Sequence, residues 1–326
     1  MKPVHTFKLA CLAACCLAVP VGSALAQAYP THPIQMVIPY PPGGATDVIG
    51  RLLAKKLGDH LGQTVVIDNR PGAGTIVGAG LVAKAAPDGY TLLVSSGTTF
   101  TVNPAIHPKL PYDPLKSFEP IGLAGRTGLI LLANRDVPVN NLKQLAAAVK
   151  ATPGKFSYGS FGTGTTAQFA GEMLLNDLGI KMLHVPYRGS SPAMTDLIGG
   201  QIPFSVDTVS AAVPQIRAGK VKAIAVTTAK RSSLLPDVPT VAESGYPGTD
   251  MDTWLAVVAP RGLAPEVKAK LEKALAETMA DPDTRKKLLD NGFEPSYGTG
   301  AEVTALITKE LPRMRAIAQR ANITAD

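Results

Sequence analysis

The chain passes from a strand pattern to a helix pattern through the stretch Pro39-Tyr-Pro-Pro-Gly-Gly-Ala-Thr-Asp47. The apolar run Ile34–Ile38 before it is typical of a buried strand, and the apolar residues after it recur at helical spacing. Thr46 or Asp47 is placed to cap that helix. Glycines at a helix start leave backbone N–H groups uncovered, and a helix N-terminus carries about half a positive charge. The stretch therefore predicts an anion site, with an ordinary tight turn as the alternative.

A second glycine-rich stretch, Gly159-Ser-Phe-Gly-Thr-Gly-Thr-Thr166, follows a short apolar run and opens another helix pattern that continues to Leu178. Thr165 stands where a phosphate-binding GxxxxGK[ST] loop has its lysine, which argues against a nucleotide. Hydroxyl groups and small residues at a helix start suit a carboxylate instead. A Ser/Thr-capped turn without a ligand remains the alternative.

A third glycine cluster spans Gly72–Gly80 and has the outline of a dinucleotide-binding fingerprint. Its spacing is Gly-x-Gly-x-x-x-Gly, and Ser95 and Ser96 stand where an acidic residue would end the next strand to hold a ribose. We interpret the cluster as a place where a helix packs closely on a sheet, and we predict no cofactor.

The first 26 residues have the pattern of an export signal. Lys2 and Lys8 flank its start, Leu9–Val21 is mostly apolar, and Ala24-Leu-Ala26 is a small-x-small cleavage site. The apolar run is too short to cross a bilayer, which takes about 20 residues. We predict export and cleavage near Ala26, with a lipoprotein signal ending at Cys15 as the weaker alternative.

Cleavage changes what chemistry is available to the mature chain. All three cysteines, Cys11, Cys15 and Cys16, lie in the signal, so the mature chain has neither disulfides nor thiolate chemistry. Its formal charge falls from +7 to +5 when the two signal lysines leave, with the charges interspersed along the sequence. This distribution argues against nucleic acid as a partner and weakly favours an anionic small molecule.

Short apolar runs alternate with helix patterns almost throughout, which predicts an α/β fold with mainly parallel sheets. The predicted strands are Ile34–Ile38, Val65–Ile67, Thr91–Val94, Leu129–Leu132, Phe156–Tyr158, Met182–Val185, Phe204–Val206, Ala223–Thr227 and Trp254–Val258. The predicted helices are Asp47–Leu61, Thr75–Ala85, Leu142–Ala151, Thr166–Leu178, Ser191–Ile198, Ala211–Ala218, Pro265–Ala280 and Ala301–Ala321. Asn141 and Ser190 or Ser191 are placed as helix caps.

The length favours two domains. We predict one domain formed by residues 27–126 plus 229–326 and a second formed by residues 127–228, with short crossovers near 126–128 and 228–230.

Motifs for enzyme chemistry are missing from the sequence. It has neither a Gly-x-Ser-x-Gly elbow nor a His-Glu-x-x-His zinc pair, and its histidines are isolated. Asp207 ends a predicted strand, where α/β sheets present ligand contacts. We predict a protein that is not an enzyme and has no metal site. A secreted hydrolase using Asp47 and Asp207 across a cleft is the alternative.

Several motifs occur in an order that resembles one family, the periplasmic Bug or TctC receptors of tripartite tricarboxylate transporters. The resemblance runs from about Tyr29 to the C-terminus. The matching motifs are 41–47 (Pro-Pro-Gly-Gly-Ala-Thr-Asp), 69–74 (Asn-Arg-Pro-Gly-Ala-Gly), 83–92 (Ala-Lys-Ala-Ala-Pro-Asp-Gly-Tyr-Thr-Leu), 103–104 (Asn-Pro), 110–114 (Leu-Pro-Tyr-Asp-Pro), 185–189 (Val-Pro-Tyr-Arg-Gly), 225–232 (Ala-Val-Thr-Thr-Ala-Lys-Arg-Ser) and 236–240 (Pro-Asp-Val-Pro-Thr).

This resemblance implies a two-domain, type II-like periplasmic binding protein that closes about a hinge on an organic carboxylate, mono- or dicarboxylate and including an aromatic one. It implies a monomer that delivers this ligand to transporter membrane subunits; a sensor subunit with the same fold is the alternative. The implied ligand-binding residues are Tyr40, Gly43, Gly44, Ala45, Asp47, Thr98, Ser160, Gly162, Thr163, Gly164, Thr165 and Asp207. Gln168 departs from the family pattern, in which many members have histidine there.

Overall fold

The computed structural model describes residues 29–324. The predicted export signal and its cysteines lie outside the described residues. Within the described range no helix combines the length and the apolar character that crossing a membrane requires.

Ten strands and ten α-helices make up the described chain. The strands are β1 (Ile34–Ile38), β2 (Val65–Asn69), β3 (Thr91–Ser96), β4 (Phe118–Asn134), β5 (Ser157–Ser160), β6 (Leu183–Pro186), β7 (Phe204–Thr208), β8 (Val221–Val226), β9 (Asp252–Pro260) and β10 (Glu294–Thr299). The helices are α1 (Ala45–Leu61), α2 (Ile76–Val82), α3 (Asn103–Ile106), α4 (Leu142–Ala151), α5 (Thr166–Leu178), α6 (Ser190–Ile198), α7 (Val209–Arg217), α8 (Pro265–Ala280), α9 (Pro282–Asp290) and α10 (Gly300–Ala321). A 3-10 turn (Ala73–Thr75) precedes α2 and a π-helix (Thr98–Val102) precedes α3.

The strands form one continuous sheet in the order β2-β1-β3-β9-β4-β7-β5-β6, with β8 and β10 also paired to β4. The long strand β4 pairs with β9 over Phe118–Gly128 and with β7 from Leu129 onward. We call the part built on β1, β2, β3, β9, β10 and the start of β4 the first half-sheet. The second half-sheet contains β5, β6, β7, β8 and the end of β4.

The predicted preponderance of parallel pairing is wrong. Four pairings are parallel, β1–β2, β1–β3, β5–β6 and β5–β7. Five are antiparallel, β3–β9, β4–β7, β4–β8, β4–β9 and β4–β10. The centre is antiparallel because β4 carries the chain from the first half-sheet to the second, and β9 carries it back alongside β4. Alternating apolar and helical patterns reveal strands but not their direction.

Helices cover both half-sheets and bury separate apolar cores. Leu53 of α1 and Leu275 of α8 are fully buried in the core of the first half-sheet. Phe169 of α5 and Phe204 of β7 are fully buried in the core of the second. The last helix, α10, packs its start into a core of the first half-sheet and its end into a core of the second. Burial of side chains of this size stabilises the fold by about 1.5–3 kcal/mol each.

Close packing explains the third glycine cluster, as the sequence predicts. A Cβ atom on Gly78 would lie 2.8 Å from the Pro39 Cβ and 2.9 Å from the Arg70 carbonyl oxygen. A Cβ on Gly80 would lie 2.9 Å from the Pro111 ring. Real Cβ atoms are almost never this close to other heavy atoms. These glycines therefore let α2 pack closely on the segments that contain Pro39, Arg70 and Pro111.

Candidate ligand-binding site

A cavity lies between the two half-sheets, where the carboxyl ends of β1, β3 and β7 meet the starts of four helices. Its interior has a volume of about 50 Å³, and the space between its lining residues is about 570 Å³ when the opening to solvent is included. The first half-sheet and its connections contribute Tyr40, Pro41, Gly44, Ala45, Thr46, Ser96, Thr253, Leu255 and Phe293. The second contributes Phe161, Thr166, Gly189, Ser190, Ser191, Pro192, Asp207 and Thr208.

Two of the four helices start at this cavity on a glycine. The N-cap of α1 is Gly44 and the N-cap of α6 is Gly189, and within residues 29–324 neither helix has a side-chain cap. The predicted caps of these helices, Thr46 or Asp47 and Ser190 or Ser191, are therefore wrong. Each helix begins earlier than the sequence pattern predicts. By contrast α5 and α7 are capped by the Thr165 and Thr208 side chains.

Uncapped helix starts have a direct electrostatic consequence. The first N–H groups of a helix have no intrahelical partner, and the helix dipole adds positive potential at the same place. A glycine N-cap leaves these donors open to a ligand. The starts of α1 and α6 face one cavity from opposite half-sheets, so an anion there can contact both.

Asp47 stabilises the first loop through hydrogen bonds. Its side chain is buried, and its carboxylate accepts hydrogen bonds from Gly43 N at 2.9 Å, Arg51 Nε at 3.0 Å and Asn69 Nδ2 at 2.9 Å. Burial opposes its ionisation, but these hydrogen bonds outweigh burial and lower its pKa. Asp47 does not line the cavity in the described structure. It holds the loop in shape, and Gly43 lies on an adjoining groove.

Tyr40 is another residue of the first loop that lies at the cavity. Its side chain lines the cavity, and its hydroxyl group lies 2.6 Å from Ser96 Oγ at the end of β3. Burial raises the pKa of Tyr40, so its hydroxyl stays protonated. Tyr40, Gly44 and Ala45 thus form the first-loop side of the cavity.

The second loop uses its own backbone donors internally. Gly162 N donates to Ser160 Oγ at 3.1 Å, and Gly164 N donates to Gln168 Oε1 at 2.7 Å. Ser160 Oγ also lies 2.7 Å from His184 Nε2. These bonds fix the loop conformation and occupy donors that the sequence assigned to a ligand.

The predicted residues of the second loop fall into two places. Gly162, Thr163 and Thr165 line an adjoining cleft. Ser160 and Gly164 line neither that cleft nor the cavity in the described part of the chain. From this loop the cavity receives Phe161 and Thr166.

Thr98 is a contact between the half-sheets. It is fully buried in the π-helix after β3, and its Oγ1 accepts a hydrogen bond from Thr166 N at 3.2 Å. This hydrogen bond joins Thr98, which was predicted to bind the ligand, to the second loop. Thr98 itself does not line the cavity in the described structure.

Two threonine hydroxyl groups at the cavity lack partners. Thr166 and Thr253 have 3% and 4% of their surface exposed, and the Oγ1 atom of each has no hydrogen-bond partner within the described chain. An unsatisfied buried hydroxyl group costs about 1–3 kcal/mol. Because both residues line the cavity, a polar ligand there would satisfy them.

Asp207 is brought to the cavity by the end of β7. It is fully buried, and its carboxylate accepts hydrogen bonds from Ser190 Oγ at 2.6 Å and Thr208 N at 2.7 Å. Burial raises the pKa of Asp207 to about 6, against the lowering effect of these bonds. In the described structure no Lys, Arg or His lines the cavity.

Apolar residues also line the cavity. They are Pro41, Phe161, Pro192, Leu255 and Phe293. An apolar wall with few convergent polar groups is typical of small-molecule sites. Among residues 29–324 no three His, Cys, Asp or Glu side chains cluster as a metal site would require.

Several cavity residues were not predicted from the sequence. The 185–189 motif ends at Gly189, just before α6. A glycine directly before a helix, with uncovered N–H groups after it, is the signal by which the sequence could have identified this residue as part of the site. Thr253 and Phe293 follow no motif, and tertiary packing alone brings them to the cavity.

Comparison with known proteins relates most of the chain to one family. The model of the tripartite tricarboxylate transporter family receptor, TctC, matches residues 49–323. A protein from the tcbD-tcbE intergenic region of Pseudomonas sp. strain P51 is 38% identical over 93% of this chain and 91% of its own length. BugT of Bordetella pertussis is 36% identical over 91% of this chain and 90% of its own length.

Solved structures with the same fold include a periplasmic binding protein and two proteins with a carboxylate. Periplasmic binding protein BugD superposes with a TM-score of 0.86 at 37% identity, over 91% of this chain and 99% of BugD. Rpa4515 of R. palustris, solved with adipate, gives 0.88 at 32% identity, over 91% and 99% of the two chains. MatC of Rhodopseudomonas palustris, solved with malate, gives 0.84 at 32% identity, over 89% and 99%.

Proposed function

The chain belongs to the TctC family of tripartite tricarboxylate transporter receptors, and we propose from this premise that it captures an organic carboxylate between its half-sheets. Its fold is the two-domain, type II-like α/β fold of periplasmic binding proteins. The family and these structural neighbours are solute-binding proteins and not enzymes.

The observation that carries the proposal is the pair of glycine-capped helix starts at one cavity. A carboxylate placed between Gly44 and Gly189 accepts from the first N–H groups of α1 and α6. Hydrogen bonds to a charged group contribute about 1.5–3 kcal/mol each. Four such bonds contribute about 6–12 kcal/mol against an association cost of about 4 kcal/mol or more. Together with burial of the apolar part of the ligand they support roughly micromolar affinity, about −8 kcal/mol.

The remaining predicted residues act around this pair. Tyr40 and Ala45 line the carboxylate end, Asp207 lies beside it, and Gly43 with Asp47 shapes the first loop. Ser160, Gly162, Thr163, Gly164 and Thr165 shape the second loop, which presents Thr166 to the ligand. The carboxylates of adipate and malate in two neighbours support this ligand class, and the phenyl rings of Phe161 and Phe293 suit an aromatic member of it.

We propose further that the two half-sheets belong to domains that close on the ligand. The domains are residues 27–126 plus 229–326 and residues 127–228, and the chain crosses between them near 126–128 and 228–230. Closure brings the starts of α1 and α6 together and forms the bond from Thr166 N to Thr98 Oγ1. The ligand stabilises the closed state because only that state lets both helix starts contact it.

The physiological role that follows is delivery. We propose that the monomeric mature protein works in the periplasm, after cleavage near Ala26, and hands the carboxylate to the membrane subunits of a tripartite tricarboxylate transporter. No cofactor takes part in this function.

Calorimetric titration tests binding. The mature protein is titrated with mono- and dicarboxylates, including adipate, malate and aromatic carboxylates, while product formation is followed in parallel. We expect saturable binding of at least one carboxylate without turnover. Steady product formation would favour the hydrolase alternative.

Transport needs a separate test. The coding sequence is deleted and uptake of the identified ligand is measured in the cell. Loss of uptake supports delivery to a transporter, whereas unchanged uptake would contradict it.

A further inference from the structure

The proposed carboxylate site has a charged group beside it that the carboxylate does not explain. Asp207 lines the same cavity, is fully buried and belongs to the strand end that the second half-sheet presents there. An anionic ligand alone would be repelled by an ionised Asp207. The presence of this side chain therefore constrains the chemistry of the ligand.

The protein leaves the Asp207 carboxylate partly unsatisfied. Its Oδ2 accepts from Ser190 Oγ at 2.6 Å, and its Oδ1 accepts from Thr208 N at 2.7 Å and more weakly from Thr208 Oγ1 at 3.5 Å. A carboxylate accepts about four hydrogen bonds, so about one acceptor position remains on this cavity residue. In the described structure the cavity wall offers Asp207 no basic side chain. Burial without a counter-charge is costly, and it raises the pKa of this carboxyl group.

Ser190 places Asp207 next to the proposed anion site. It is the first residue of α6, whose start is one of the two uncapped helix N-termini, and its hydroxyl group donates to Asp207. The positive potential of the helix start and the negative charge of Asp207 are thus adjacent. A ligand that satisfies both has its carboxylate and its cationic group on neighbouring atoms.

We propose that the ligand is an α-amino acid, with its carboxylate at the starts of α1 and α6 and its ammonium group donating to Asp207. This inference rests on the proposed carboxylate-receptor function. The ammonium group supplies the counter-charge that the protein lacks. The apolar wall formed by Pro41, Phe161, Pro192, Leu255 and Phe293 receives an apolar or aromatic side chain. A dicarboxylate would bring a second negative charge to that wall, where it meets no basic residue of the described chain.

Matched ligands that differ in one group test the proposal. The mature protein is titrated calorimetrically at neutral pH with L-phenylalanine against hydrocinnamate and with L-leucine against isocaproate. Leucate, which has a hydroxyl group in place of the ammonium group, and leucinamide, which lacks the carboxylate, complete the set. The same ligands are titrated into D207N.

The expected result is a preference of at least about tenfold for the amino acid in each pair, since a charged hydrogen bond contributes 1.4 kcal/mol or more. D207N is expected to lose at least about tenfold in affinity for the amino acids, because the charged hydrogen bond is lost. It is expected to gain affinity for hydrocinnamate, because the repulsion between Asp207 and the ligand carboxylate is removed. If D207N does not fold, the ranking of ligands by the natural protein decides alone.

Other outcomes separate this inference from the proposed function. Equal or tighter binding of the deaminated acids or of leucate would overturn the amino-acid proposal and leave the carboxylate receptor intact. An equal loss for both ligand classes in D207N would make Asp207 a structural residue. Failure of every carboxylate to bind, or equal binding of leucinamide and leucine, would overturn the carboxylate site and this inference with it.

Discussion

The two glycine-rich loops each follow a strand and open a helix, and each bonds glycine N–H groups to side chains, but only the first leaves its helix without a side-chain cap among the described residues. The first loop ends on Gly44, and in the described structure α1 starts there without a side-chain cap. The second loop ends on Thr165, whose side chain caps α5, while Gly162 N and Gly164 N bond to neighbouring side chains. Glycine in a loop therefore marks an anion site only where its neighbours leave the N–H groups unpaired.

The partner of the first loop is the start of α6. Gly189 is the N-cap of α6, and among the described residues this helix, like α1, has no side-chain cap. The second glycine-rich loop contributes a shaped wall and the unpartnered hydroxyl group of Thr166. Each of the following variants challenges this difference between the loops.

The largest effect is expected from Gly44→Val. A Cβ at Gly44 would lie 3.7 Å from the nearest atom, the Pro41 carbonyl oxygen, and Gly44 has an extended backbone. The substitution is therefore compatible with the fold but covers the donors at the start of α1. We expect carboxylate affinity to fall about 100-fold or more, by calorimetry, since about two charged hydrogen bonds are lost.

Asn141→Ala is the matched control for that variant. Asn141 caps α4, and its side chain accepts from Gln144 N. Its loss is expected to destabilise the protein by about 1 kcal/mol without changing affinity. Retained affinity in Gly44→Val would remove α1 from the site.

The next effect is the pH dependence of stability that Asp207 causes. Its pKa is about 6 in the folded protein against 3.8 ordinarily. Between these values the folded state holds more protons than the unfolded state, so the contribution of Asp207 to stability falls as pH rises. We expect the unfolding free energy of the natural protein to fall by about 2–3 kcal/mol relative to D207N between pH 4 and pH 7.

Ligand-free denaturant unfolding of both proteins at several pH values measures this difference. If the difference in unfolding free energy between the two proteins does not change with pH, Asp207 has its ordinary pKa and is not a buried charge that lacks a counter-charge.

Thr166→Val tests the second loop where it does reach the cavity. The variant removes a buried, unpartnered hydroxyl group, so the ligand-free protein is expected to keep or gain stability. Affinity is expected to fall about fivefold, the equivalent of one neutral hydrogen bond of about 1 kcal/mol.

Thr278→Val is its control. Thr278 in α8 is fully buried and its hydroxyl group is likewise unpartnered in the described structure, but it lies away from the cavity. Its replacement should leave affinity unchanged. Equal effects of the two variants on affinity would show that the Thr166 hydroxyl group does not contact the ligand.

The smallest effect on affinity is expected from Ser160→Ala. The Ser160 hydroxyl group accepts from Gly162 N and contacts His184, so its loss should destabilise the protein by about 1–2 kcal/mol. Because it does not line the cavity in the described structure, affinity should change less than about threefold. A loss of affinity comparable to that of Gly44→Val, with stability unchanged, would show that the two loops contribute equally to ligand binding.

Strong apolar periodicity predicts secondary structure well in this chain. Helices α4, α5 and α8 have the predicted bounds. The sequence reasoning missed α9, which buries only Thr284 and Leu288 among its described residues and therefore shows little apolar periodicity.

The first part of β4 was missed for a different reason. Its Glu119, Pro120 and several glycines weaken the strand pattern. Pairing with β9 and β10 on either side stabilises it as a strand, and a distant partner of this kind leaves no local signal.

The sequence by itself determined the family, the α/β class, the place of the first glycine-rich loop between a strand and a helix, and the presence of Asp207 at a strand end, because each depends on local spacing or on an ordered set of motifs. Only the tertiary structure decided which loop donors are free, that Gly189 opposes Gly44, and that Asp207 lies in the cavity without a basic neighbour among the described residues. Hydrogen bonds and burial depend on residues far apart in the chain. The charge balance of the cavity is therefore a property of the fold and not of any one motif.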